Sequence, residues 1–114
     1  MLTSGDIVQL DLGLPTGSEA GFPRPAVIVT AQRVLDARPT VVHMVPLTST
    51  VRGFASEVAI EPDAANTLES TSAAQCQHIR AVSAGRIGVV MGNVGVVNLA
   101  QIRELIGTVL DIAG

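Results

Sequence analysis

Lysine, tryptophan and tyrosine are missing from this chain, and Phe22 and Phe54 are its only aromatic residues. Without large rings, the core must be assembled from Val, Ile, Leu and Ala, which bring little volume per side chain. At 114 residues the chain supports one modest core, so a single domain spanning residues 1–114 is expected. Charged residues are also sparse, 15% against 47% hydrophobic, a balance that excludes intrinsic disorder. The mean hydropathy of +0.47 predicts apolar surface to be hidden in an oligomer. One cysteine, Cys76, excludes an internal disulfide framework and fits a reducing cytoplasm. The longest apolar stretch, Ile87 to Ala100, is too short for a membrane span and is interrupted by Gly88, Gly92, Asn93, Gly95 and Asn98. No basic segment precedes an apolar one at the start, so no secretory leader is expected.

The balance of charge excludes a uniformly basic surface. Seven arginines face ten acidic residues, for a net charge of −3. A nucleic-acid role would then depend on where the arginines gather rather than on their number. A metal centre is not expected either. His43 and His78 are the only histidines, and no spacing of Cys, His or carboxylate resembles a ligand set. GSEAG, residues 17–21, lacks the lysine and the spacing of a phosphate-binding loop. Cys76 reads best as a buried structural thiol.

What is present is a succession of short strands. Val8, Leu10 and Leu12 alternate with Gln9 and Asp11, a first strand. Gly13 to Pro23 is a loop punctuated by glycine and proline. Pro25 to Thr30 is a continuous apolar strand expected to be buried on both faces. A connection over Arg33 to Pro39 leads to a strand over Thr40 to Val45, ended by Pro46. Thr48 to Gly53 is a turn, Phe54 to Ile60 a strand, and Glu61 to Ser72 a polar loop. Ala73 to Val82 reads as a strand with Cys76, His78 and Arg80 on one face, in preference to a short helix, and Gly85 to Val90 is short and ambiguous. Leu99, Ile102, Leu105, Ile106 and Val109 fall at helical spacing, with Asn98 and Gln101 in a capping-box pattern. Short strands followed by one helix predict a mainly β fold with α: a small barrel closed by a C-terminal helix.

Two segments carry candidate chemistry. Arg24 stands between Pro23 and Pro25 where the loop meets a strand, so its guanidinium leaves the backbone from a restricted point. Guanidinium matches phosphate oxygens bidentately. Thr48 and Ser49 follow the next strand and offer hydroxyls, either as turn caps or as donors to a phosphate. In combination, GSEAGFPRPAVIV (Gly17 to Val29) and VPLTS (Val45 to Ser49) resemble, in this order, the MazF/PemK family of toxin endoribonucleases.

The resemblance implies an SH3-like barrel of the CcdB/MazF type and a homodimer. The activity it implies is metal-independent cleavage of single-stranded RNA at a short recognition sequence. It implies no cofactor, and a cognate antitoxin whose disordered tail covers the RNA groove. Arg24 matches the family's catalytic arginine, Thr48 its active-site threonine, and Glu19 the glutamate of the GSE loop. Ser18, Phe22, Ser49, Arg52, His78 and Arg80 are the expected RNA contacts, with Phe22 read either as a base-stacking ring or as a loop anchor. The chain departs from the family at His78, in CQHIRAVS, where glutamine is usual; at Val8, where tryptophan is frequent; and at Ala55, where proline is common. A competing reading is a non-catalytic toxin. CcdB proteins share this fold and bind DNA gyrase, and the acidic charge favours that option. An RNA-binding module without activity is a third.

Overall fold

The computed structural model describes residues 1–10 and 24–112. Its strands are β1 (Asp6–Leu10), β2 (Arg24–Ile28), β3 (Val41–Thr48), β4 (Glu57–Ile60), β5 (Ser72–Gln75), β6 (Arg80–Ser83) and β7 (Ile87–Asn93). Two helices accompany them, α1 (Gln32–Asp36) and α2 (Val96–Val109). All strand pairs are antiparallel, in the order β4-β5-β3-β2-β1-β7, with β6 also on β3. The sheet is barrel-like, but its path stays open: among the described residues β4 and β7 do not pair with each other.

β3 organises the molecule. Its first half pairs with β6 (Val41↔Ser83 to Met44↔Arg80) and its end pairs with β5 (Leu47↔Ala74, Thr48↔Ala73). The strand was expected to stop at Val45 but runs through Pro46. Proline's missing N–H is tolerated because Pro46 falls between the two partners. For the same reason Ala73 to Val82 is not one strand. The chain must change from one part of the sheet to the other beside β3, and it does so in a 3₁₀ turn over Cys76–His78. That turn buries Cys76 completely and leaves His78 exposed, so Cys76 does not share a face with His78 and Arg80 as the alternation predicted.

Each face of the sheet carries a core, rather than one core serving the whole chain. On one face Val27, Val45, Leu47 and Ile60 pack with Leu99 and Ile102 of α2. On the other, Val8, Leu10, Ala26, Ile28 and Met44 pack with Leu35 of α1 and Val82. This accounts for the doubly buried β2, as expected. It also explains why both Ile7 and Val8 of β1 are buried, breaking the simple alternation.

Local chemistry sets the remaining boundaries. β4 starts only at Glu57, because residues before it form a turn in which Glu57 N donates to Phe54 O at 3.0 Å. The ambiguous stretch after Gly85 becomes the seven-residue β7. α1 lies in what was expected to be a connection. α2 begins at Val96 with Gly95 as its cap, at φ 87°, a left-handed value that favours glycine. Asn98 is therefore not the N-cap: it lies in the first turn, and its Nδ2 donates back to Val94 O at 2.9 Å. Val96 and Val97 are exposed, so they stand outside the apolar stripe that located the helix.

Candidate functional site

β2 opens with Arg24, paired to Leu10 of β1. Continuing the β2–β3 register two residues past Ala26↔Pro46 brings Thr48 level with Arg24. By strand alternation Thr48 shares a face with Met44 and Pro46. A hydroxyl and a guanidinium are thus presented at neighbouring strand ends. Thr48 Oγ1 accepts a hydrogen bond from Thr50 N at 3.1 Å, which leaves its O–H for donation.

Beside this pair lies a cleft of about 670 Å³. Leu10, Ala26, Met44 and Pro46 line it with apolar surface, and Arg24, His78, Arg80 and Arg86 bring its ionisable groups. Among the described residues no carboxylate lines it. Three of the chain's seven arginines therefore meet in one cleft of a protein whose net charge is −3. Local gathering, not total charge, makes this surface suited to a phosphodiester.

The expected site residues divide three ways. The structure gathers Arg24, His78 and Arg80 in the cleft. Thr48 sits level with Arg24 but does not line the cleft, and Ser49 and Arg52 are exposed further along the same turn. The Arg52 backbone N–H is held by Glu57 Oε1 at 3.3 Å. Ser18, Glu19 and Phe22 lie outside the described residues.

Arg86 was missed. It ends a 3₁₀ turn over Ala84–Arg86, capped by Ser83 Oγ accepting from Gly85 N. The Ser-Ala-Gly-Arg sequence signals a turn, but only the topology shows that this turn returns to the cleft.

The other titratable groups are placed elsewhere. His43 sits on β3 opposite Ala81, and its backbone N–H donates to Thr30 Oγ1 at 2.8 Å. Cys76 is fully buried, and loss of solvation pushes its thiol up to about 11. Among the described residues no three His, Cys, Asp or Glu side chains are grouped to hold a metal ion. The described residues bring guanidinium, imidazole, amide and hydroxyl groups to the cleft. Together they can bind an anionic backbone and stabilise extra negative charge on a phosphorus centre.

Residues 3–110 match the family model described as PemK-like, MazF-like toxin of type II toxin-antitoxin system. The chain is 32% identical to Endoribonuclease MazF9 of Mycobacterium tuberculosis over 117 residues, covering 98% of each. The solved Mycobacterium tuberculosis toxin MazF-mt6 superposes with a TM-score of 0.75 at 26% identity, over 96% of this chain and 99% of that one. An endoribonuclease in complex with its cognate antitoxin, from Mycobacterial species, gives a TM-score of 0.77 at 20% identity, over 100% and 99%. At that identity the likeness is one of fold. Among the described residues no helix is long and apolar enough to cross a membrane.

Proposed function

The chain belongs to the family of PemK-like, MazF-like toxins of type II toxin–antitoxin systems, and from that premise we propose that its arginine cleft cuts single-stranded RNA at a short recognition sequence. It is a toxin endoribonuclease of such a system, which sets aside the gyrase-binding and inactive alternatives. The observation that carries the choice of site is the cleft itself, which three arginines and a histidine line.

The proposed reaction is transesterification. The 2′-oxygen attacks the adjacent phosphorus, the bond to the 5′-oxygen breaks, and a 2′,3′-cyclic phosphate and a 5′-hydroxyl result. Charge builds on the non-bridging oxygens as the phosphorus becomes five-coordinate. Arg24 offers a permanent cation there and Thr48 a hydroxyl donor, both preorganised by paired strands. The 2′-OH must also lose a proton. Guanidinium is unsuited to accept it because it is never neutral at working pH. Glu19 and His78 are the candidates for that role. Donors of this kind need no metal, so cleavage should persist in EDTA.

His78, Arg80, Ser49 and Arg52, with Ser18 and Phe22 from the segment before β2 in sequence, are proposed to contact the RNA. Bases splayed from a single strand are readable on their edges, and the 2′-OH distinguishes RNA from DNA. A cognate antitoxin, a homodimer of one-domain subunits and a cytoplasmic site of action complete the reading. The antitoxin bound to a structurally similar endoribonuclease supports the first of these.

The test is chemical. Cleavage sites are mapped on a long RNA in chelator, and one 2′-deoxy nucleotide is then placed at a mapped cut. Cleavage there should stop, while control sites are cut to cyclic-phosphate and 5′-hydroxyl ends. Cutting at the deoxy position would show that water is the nucleophile and overturn the mechanism.

A further inference from the structure

The cleft joins residues from opposite edges of one sheet. Around Arg24 the strand order is β7-β1-β2-β3, with β6 beyond β3. Arg80 begins β6, opposite Met44 of β3. Arg86 immediately precedes β7, whose first residue, Ile87, pairs with Leu10, and Leu10 in turn pairs with Arg24. The link between β6 and β7 must therefore carry the chain from the β3 side of the sheet to the β1 side. It crosses over the face that bears the cleft: Val82 before it is buried in that face's core, and Ile87 after it packs against the same core. The Ala84–Arg86 turn is the centre of this crossing.

Through Leu10 the Arg86 end of β7 stands level with Arg24 across the strands, whereas Arg80, level with Ile28 through Met44, stands on the β6 side and four residues further along β2. At about 4.8 Å per strand step, the start of β7 stands roughly 10 Å from Arg24. An extended polyanion laid across the strands from β2 to β7 meets Arg24 and Arg86 in succession. One laid along β2 does not reach Arg86.

We infer that the RNA backbone crosses the strands from β2 toward β7 as it passes Arg24, and that Arg86 seats a phosphate flanking the scissile one, on the β7 side of Arg24. This deepens the proposed RNA-cleaving function and rests on it. Arg86 is here a substrate-positioning residue. It acts on a phosphate whose bonds do not change, so it contributes to binding and register rather than to the chemical step.

The probe is a single-stranded RNA carrying a site that the wild type cuts, made uncleavable by one 2′-deoxy nucleotide at the cut. Its Kd is measured against salt for wild type, Arg86→Ala, Arg86→Gln and Arg86→Lys, with circular dichroism on each. Removing the cation should weaken binding about tenfold and reduce the slope of log Kd against log salt by about 0.7, as for one phosphate contact on a single strand. Arg86→Lys should keep the slope. On the cleavable RNA, KM should rise and kcat should stay within a few-fold.

Oligonucleotides with one neutral methylphosphonate each then locate the contact. One position adjacent to the cut should weaken wild-type binding and have no further effect in Arg86→Ala. Folded variants with wild-type affinity and salt slope would overturn the inference. So would a kcat that falls at constant KM, which would put Arg86 on the reacting phosphate. Wild-type protein that cuts no RNA would instead be a failure of the functional reading itself.

Discussion

Thr48 and Cys76 show how differently two small side chains are used. Thr48 ends β3 level with Arg24, and its hydroxyl accepts from Thr50 N. Thr48→Ala should lower kcat by about 10²–10³, the usual effect of losing one preorganised donor to developing charge. Single-turnover cleavage at saturating enzyme measures it, and a rate near wild type would remove Thr48 from the reaction. Cys76 is buried between β5 and α2, with Sγ 3.8 Å from Ile102 O, and burial raises its thiol from the ordinary 9.0 to about 11. Below pH 9 the thiol is protonated whether the chain is folded or not, so its contribution to stability is intact. Between pH 9 and 11 the unfolded chain ionises and the folded one resists, so stability falls by about 1.4 kcal/mol per pH unit. The absence of lysine and tyrosine keeps that window clear of other side chains. Urea melts of wild type and Cys76→Ala from pH 8 to 10.5 should show the slope only in the wild type. Arg24 was legible as a site residue because two prolines isolate it in the sequence. Arg86 was not, because nothing local distinguishes an arginine that ends a turn over a cleft from one that ends a turn in water.

Among the elements, the loop between β4 and β5 is built far more tightly than its polar sequence suggests. Asn66 is fully buried: its Oδ1 accepts from Asp63 N at 3.0 Å and Leu68 N at 2.9 Å, and its Nδ2 donates to Glu61 O at 2.8 Å. The loop then braces β7. Asn93 N donates to Ala65 O at 3.0 Å, and Thr67 Oγ1 donates to Met91 O at 2.8 Å. Contact is so close that a Cβ at Gly92 would stand 2.6 Å from Ala65 O. Asn66→Ala leaves three backbone groups without their partner and should cost about 2–3 kcal/mol. Chemical denaturation measures this, and a change below 0.5 kcal/mol, roughly the scatter of ordinary surface substitutions, would contradict it. Strand content was largely readable from alternation and apolar runs. Breaks were not, because the exchange of partners along β3 is a long-range event. Nothing in Ala73 to Val82 records that Pro46, far away in sequence, lies where one partner gives way to the next. The helix stripe was legible through Leu99, Ile102, Leu105 and Ile106, but its start was hidden by two valines that stay in water.

At the scale of the whole molecule, apolar side chains remain uncovered. Val89 and Val90 of β7 are 67% and 47% exposed, and Val96 and Val97, at the start of α2, 85% and 72%. They follow one another closely along the chain and account for part of the high mean hydropathy. The protein should therefore sediment as a dimer at micromolar concentration, and a monomer mass independent of concentration would contradict this. The same scale resolves the apparent conflict between an acidic chain and an RNA substrate. A net charge of −3 describes the whole surface, whereas the cleft gathers Arg24, Arg80 and Arg86 locally. Everything proposed about function depends on that cleft being where RNA is cut. The most direct test is cleavage of one long RNA in excess EDTA by wild type and by Arg24→Ala, with circular dichroism on the same samples. Discrete fragments from the wild type and none from an equally folded Arg24→Ala are predicted. Equal cleavage by both proteins would place the active site elsewhere.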